Sequence, residues 1–337
     1  MSDTMRVWVY DGPHASHIET RPRPLPGPSD VRIRIALVGI CGSDLHGYTG
    51  ESGRRVSGMI MGHEASGWIE TVGSAVSGLD VGDTVTFNPA LPCDGTCGHE
   101  SENRCTQLRV IGVTPDIQGA FADAIVVPAE RVVPLGKLSL EWGAGVEPMA
   151  VALQASRQAG VSAGASVLVI GGGMIGQCVA QAARLDGAVE ITVSDPIVER
   201  QDLARMNGFR SIGPEDVESL GQFDVAFDAV GISATTTAAI RAVSIGATVC
   251  LVGLGASEVT VPLFDIVVPE RTIVGTFCYP DHVFRDAVRH LTDGGLDLGT
   301  LIGSQEPFED TGATFDALAS GTRRDAKILM STGEPAS

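Results

Sequence analysis

The sequence predicts two domains of different build: a small β barrel, then a doubly wound α/β domain. Three observations carry this reading. The 337 residues are more than one hydrophobic core usually serves. Up to about Glu147, glycines and prolines cut the chain into short runs, as in a compact barrel. Beyond Glu147, apolar runs alternate with breaker-free stretches, the pattern of a parallel sheet with crossover helices.

Each element follows from its local pattern. Residues 31–35 alternate apolar and polar side chains, which suits a half-buried strand, and residues 68–72 and 84–87 are further short strands. Pro22, Pro24, Pro26 and Pro28 make a stiff extended connector. Residues 149–159 contain few breakers and read as a helix. Residues 166–170 are an apolar run ending in glycines, as a strand buried on both faces would be. A helix over 174–185 follows, and strands over 191–194, 224–230, 248–252 and 272–277 complete the series. Helices are expected over 283–291 and 314–318, and residues 326–330 form a last strand that returns to the first domain.

Composition excludes several classes of partner. Hydrophobic residues make up 44% of the chain, enough for two cores, and the net charge is −18. Such a surface repels nucleic acid and anionic membranes. No run approaches the roughly 20 apolar residues that span a bilayer. The start of the chain lacks a targeting pattern, so a cytoplasmic location is expected. Seven cysteines in a chain of this length read as metal ligands plus buried thiols rather than as a disulfide framework.

Chemistry concentrates in two motifs. Gly39-Ile40-Cys41-Gly42-Ser43-Asp44-Leu45-His46 and Gly62-His63-Glu64 offer a thiolate, an imidazole and a carboxylate, each beside glycine. That mixed donor set suits Zn²⁺, and three protein ligands leave a fourth position open, as a catalytic zinc requires. The second motif is Gly171-Gly172-Gly173-Met174-Ile175-Gly176, between an expected strand and an expected helix. Gly171 allows a tight turn, Gly173 the approach of a pyrophosphate, and Gly176 close packing of helix on strand. The helix N-terminus adds free N–H groups for phosphates. Asp195, 19 residues beyond Gly176, is placed to accept ribose hydroxyls and to repel a 2′-phosphate, which favours NAD; Arg200 is a mild counter-signal. Met174, Ile175, Val230 and Gly253 are counted with the cofactor contacts.

These motifs, with Met61-Gly62-His63-Glu64, Gly119-Ala120-Phe121-Ala122-Asp123 and Val146-Glu147-Pro148, resemble the zinc-dependent medium-chain dehydrogenase/reductases, in their polyol (sorbitol-type) branch. The similarity runs over nearly the whole chain. It implies a GroES-like catalytic domain over 1–149 and 279–337, and a Rossmann-like NAD-binding domain over 150–278. It implies a catalytic zinc on Cys41, His63 and Glu64, with Glu147 reaching it directly or through water. Ser43 and His46 are then a proton relay, since imidazole titrates near neutrality.

Members of this family carry four cysteines around a closed structural zinc in a later lobe. Cys93, Cys97 and Cys105 match that lobe with one cysteine absent, and Asp94 or His99 is available as a fourth donor. Asp94 is the one counted with the site. The alternative is a lobe without metal. Tyr279 and Arg54 are candidate substrate contacts. The implied activity is hydride transfer between a small-molecule secondary alcohol or polyol and NAD, by a homodimer or homotetramer. A 2,3-butanediol, threonine or aminocyclitol dehydrogenase, or a non-catalytic NAD-binding protein of the same fold, are the alternatives.

Overall fold

The computed structural model describes residues 3–333. The outermost residues of the expected first domain, 1–2 and 334–337, lie outside them. The chain divides into two compact units. One comprises residues 1–147, 280–292 and 302–337, and the other residues 148–279 and 293–301.

The first unit is rich in β structure. Among the described residues, its main sheet has seven strands, with Asp30–Gly39 at its centre. One edge of that strand pairs antiparallel with Glu64–Val72. Its other edge is shared: residues 30–34 pair with Ala124–Pro128, and residues 37–39 with Lys327–Ser331. The strand expected near the C-terminus therefore does return to this unit, with Leu329 opposite Gly39. This register sets Lys327 beside the segment that carries Cys41. A hairpin of Thr4–Gly12 and Ala15–Pro22, not anticipated from the sequence, covers one side. It contributes Trp8, which stacks on Phe315 at 4.7 Å and meets Phe121 edge-on at 5.4 Å. Tyr48 packs into the same aromatic core.

The second unit is the expected doubly wound sheet. Among the described residues, six parallel strands lie in the order Arg210–Ile212, Glu190–Ser194, Ser166–Ile170, Phe223–Asp228, Val243–Leu251 and Thr272–Gly275. The order reverses between Ser166–Ile170 and Phe223–Asp228, the switch point at which such sheets bind ligands.

Several bounds differ from the sequence reading for local reasons. The helix expected from 149 begins earlier, as Val146–Ala159, because Pro148 in its first turn forfeits no intrahelical bond. The strand expected over 224–230 stops at Asp228. The Asp228 carboxylate accepts from the amides of Val230 and Gly231 and from the Thr236 hydroxyl, which bends the chain away. The strand expected over 272–277 ends at Gly275. The helices Val198–Met206 and Ser233–Ala242 were not anticipated. The first buries only Ala204, and the second contains the poorly helix-forming Thr235 and Thr236. No helix among the described residues is long and apolar enough to cross a membrane.

Candidate functional site

The Asp30–Gly39 strand delivers the chain directly into Cys41, which caps the short helix Gly42–Tyr48. The partner strand begins at Glu64, opposite Gly39. Sheet pairing thus joins two segments far apart in sequence, and the donor atoms of Cys41, His63 and Glu64 lie within 4.8 Å of one another. Two glycines make room. Gly62 has φ +97°, and a Cβ there would press on the Phe121 ring at 2.9 Å. A Cβ on Gly39 would lie 2.5 Å from Glu64 Oε2.

The charged surroundings are buried and specific. Asp44 is fully buried, and its Oδ1 lies 3.5 Å from His63 Nδ1. That contact orients the ring and leaves Nε2 as the free donor. Burial pulls the His63 pKa down, but Asp44 and the Cys41 thiolate more than reverse this and hold it well above the usual range. Burial likewise opposes the Asp44 carboxylate, yet His63, Arg55 and the Cys41 amide keep its pKa below normal. Lys327, 3% exposed, donates to the Ile40 carbonyl at 2.9 Å and pairs with Glu64. Its pKa stays raised despite burial, through Glu64, Cys41 and Glu147. Glu147 lies in the first turn of Val146–Ala159, close enough for its charge to act on Lys327, but outside the three-donor cluster.

This arrangement fits zinc. Glu64 Oε1 is buried without a hydrogen-bond partner, a costly state that a bound cation would relieve, and Asp44 stands behind His63 to hold its ring. Ser43 and His46 sit three residues apart on Gly42–Tyr48, hence on one helix face, and both are partly accessible.

The second cluster is tighter. Cys97 Sγ lies 3.6 Å from Cys105 Sγ, which lies 3.5 Å from Cys93 Sγ. His99 Nδ1 lies 3.1 Å from Cys97 Sγ and 3.8 Å from Cys93 Sγ. A tetrahedron with Zn–S bonds of about 2.3 Å has edges of about 3.8 Å, so four donors at these spacings enclose a zinc-sized centre. The fourth group in this cluster is His99 and not Asp94, whose Oδ1 instead accepts from the Thr96 amide. The hydrogen bond from His99 lowers the Cys97 thiol to about 5, and Cys97 in turn raises His99.

In the second unit, Gly171 has φ +98°, and a Cβ on it would meet Val230 at 2.8 Å. A Cβ on Gly176 would collide with the Gly171 carbonyl oxygen. A Cβ on Gly173 would meet only Arg200, at 4.0 Å, so this face of the loop is open to a phosphate. Gly253 packs directly on the Val230 backbone, and the helix Met174–Leu185 opens at Met174 and Ile175. Asp195, the carboxylate expected at the ribose, also serves the loop. It is 2% exposed and holds the loop itself, accepting from the amides of Gly172 at 2.7 Å and Ile197 at 2.8 Å. Arg200 lies 3.6 Å from it.

Of the two expected substrate contacts, Arg54 is exposed, but Tyr279 is 1% exposed and serves the core. Sequence reasoning missed Asp44, Lys327 and the preference for His99 over Asp94. Lys327 had a signal: it is one of two lysines in the chain, with Lys137, and it sits in an apolar run.

A GroES-like β unit with a Cys–His–carboxylate set, and a doubly wound unit with a dinucleotide loop, define the class as zinc-dependent dehydrogenases. Comparison with known proteins agrees. Residues 27–137 match the alcohol dehydrogenase GroES-like domain, and residues 174–293 the zinc-binding dehydrogenase domain. The chain is 34% identical to L-idonate 5-dehydrogenase of Vitis vinifera, over 95% of this chain and 92% of that one. It is also 34% identical to sorbitol dehydrogenase of Arabidopsis thaliana, over 95% and 93%. Among solved structures, 2R,3R-butanediol dehydrogenase from Bacillus subtilis superposes with a TM-score of 0.88 at 28% identity, covering 98% of this chain and all of that one. The chain belongs to the zinc-dependent medium-chain dehydrogenases of polyol type.

Proposed function

We propose that this chain oxidises a secondary alcohol or polyol with NAD, using a zinc held by Cys41, His63 and Glu64. One observation carries the reading: these three donors lie within 4.8 Å of one another, and Glu64 Oε1 among them is buried without a hydrogen-bond partner. The names of the relatives, L-idonate and sorbitol dehydrogenase, support a polyol as substrate.

When bound, zinc supplies a Lewis acid that makes an alcohol acidic, and NAD supplies the hydride acceptor. The chain does the rest. Asp44 fixes the His63 ring. Glu147 stands near as a second acidic group, acting directly or through water. Ser43 and His46 pass the proton released from the alcohol towards solvent. Gly171, Gly173, Met174, Ile175 and Gly176 cradle the pyrophosphate, flanked by Val230 and Gly253. Asp195 and Arg200 shape the adenosine end of that site, and the Asp195 charge disfavours a 2′-phosphate. Arg54 is the candidate contact for an acidic or phosphorylated group on the substrate.

The domain limits put forward are 1–149 with 279–337, and 150–278. The lobe of Cys93, Cys97, His99 and Cys105 takes a second zinc. A cytoplasmic location accords with seven cysteines that form no disulfide, and a homodimer or homotetramer with the exposed apolar side chains around Leu263–Val267.

The test is a panel of sugar alcohols, cyclitols, diols and threonine, read by NADH absorbance, with Cys41→Ser as control. The wild type should reduce NAD with at least one polyol. The variant should lose turnover by about a thousandfold or more while still binding NAD. Full activity in Cys41→Ser would remove the assignment.

A further inference from the structure

Arg55 is a guanidinium with a side chain only 2% exposed, an expensive placement unless its charge is used. Each of its three nitrogens has a partner. Nε donates to Met61 Sδ at 3.2 Å, one terminal nitrogen to the Val113 carbonyl at 3.1 Å, and the other to the Ser43 carbonyl at 3.4 Å. That last nitrogen also lies 3.5 Å from Asp44 Oδ1, the oxygen that faces His63 Nδ1 at the same distance. The chain makes room for this path: a Cβ on Gly47 would fall 2.6 Å from Arg55 Cγ. One side chain thus touches the carboxylate behind a zinc ligand, the residue of the expected relay, and the Met61 that leads into His63.

Charge points the same way. The Cys41 thiolate, Asp44, Glu64 and Glu147 are the anions gathered here. A divalent cation, Lys327 and Arg55 match them, and without Arg55 one anion stays buried uncompensated. We infer that Arg55 is a positioning residue for the metal centre, acting through Asp44 to fix the His63 ring and through the Ser43 carbonyl to fix the relay helix. The inference rests on the zinc reading above and adds a residue to it.

The test uses the full enzyme with Arg55→Met and Arg55→Lys. Zinc affinity at the Cys41 cluster is measured by chelator competition, and ligand geometry by the visible spectrum of the cobalt-substituted protein. Signals from the three-thiol lobe cancel in the difference from wild type. The methionine variant should bind this zinc about tenfold to a hundredfold more weakly, with shifted cobalt bands. Its kcat should fall while KM and NAD affinity hold. The lysine variant should recover part of the affinity, since it keeps the charge and loses the fork. A folded methionine variant with wild-type zinc affinity and cobalt spectrum overturns the inference. Should that variant not fold, Arg55→Gln replaces it, keeping donors for the Val113 and Ser43 carbonyls without the charge, and unchanged values there overturn it equally. A wild type that binds no zinc at this cluster would instead sink the reading on which the inference rests.

Discussion

His99 stands where a fourth thiol would complete the lobe, and its chemistry suits the replacement. An imidazole binds zinc at nearly the distance of a thiolate, without adding a further negative charge to three sulfurs. The Cys97 thiol ionises at about 5 beside it, so the donor that a metal needs is present at neutral pH. His99→Ala should therefore lower zinc content from two per chain to one, by elemental analysis, and leave NAD binding intact. A variant that keeps two, or a wild type that holds one, removes the second site. The residues of both clusters were largely legible because donor type and neighbouring glycine are local properties. Asp44 and Arg55 were not, since their meaning lies in pairing: Lys327 and Glu64 are 263 positions apart and meet only through strand register.

Elements place these residues, and the short helix Gly42–Tyr48 is the one that matters most. Alone, two turns of helix are unstable in water. Tertiary contacts hold it: Tyr48 packs in the aromatic core, and its hydroxyl donates to Asp316 Oδ1 at 2.7 Å, tying it to the helix Thr311–Ala319. Tyr48→Phe should cost about 1.5–3 kcal/mol in urea unfolding, as the loss of a hydrogen bond to a charged group. Burial, then the Asp316 carboxylate, raises the Tyr48 phenol to about 12 in the folded state. A raised acid stabilises the fold below its unfolded pKa of about 10 and loses that contribution as pH climbs through the folded value. The gap between wild type and Tyr48→Phe should thus be constant from pH 7 to 9 and narrow towards 12. A gap that widens over that range would contradict the assignment. Neither this helix nor Ser233–Ala242 was read from the sequence. The first is too short to show a period, and the threonines of the second disfavour helix until Asp228 accepts from Thr235 and Thr236. Strands with strong alternation or continuous apolar character, such as those at 31–35 and 166–170, survive any such local override.

At the scale of the molecule, an acidic chain with net charge −18 leaves several large apolar side chains exposed near the end of its parallel sheet. The five-residue helix Leu263–Val267 buries none of its residues, and Phe264 is 82% and Val268 74% exposed. Ile245 and Leu254, from the neighbouring strand and the loop that follows it, are also exposed. The adjacent strand Thr272–Gly275 ends the parallel sheet, so among the described residues one row of its backbone groups has no strand beside it. An uncovered apolar patch along an open sheet edge is an aggregation hazard unless it is an interface. A two-fold axis through this edge would pair the strand with its own copy and bury both patches at once, closing the assembly. Phe264→Asp places a charge at the centre of that contact while touching no residue of the metal or dinucleotide sites. By light scattering, the wild type should run at a multiple of 35.0 kDa and the variant at 35.0 kDa, with its zinc content retained. A wild type already at the monomer mass, or a variant whose mass does not change, would mean that this face is covered by something other than a second copy.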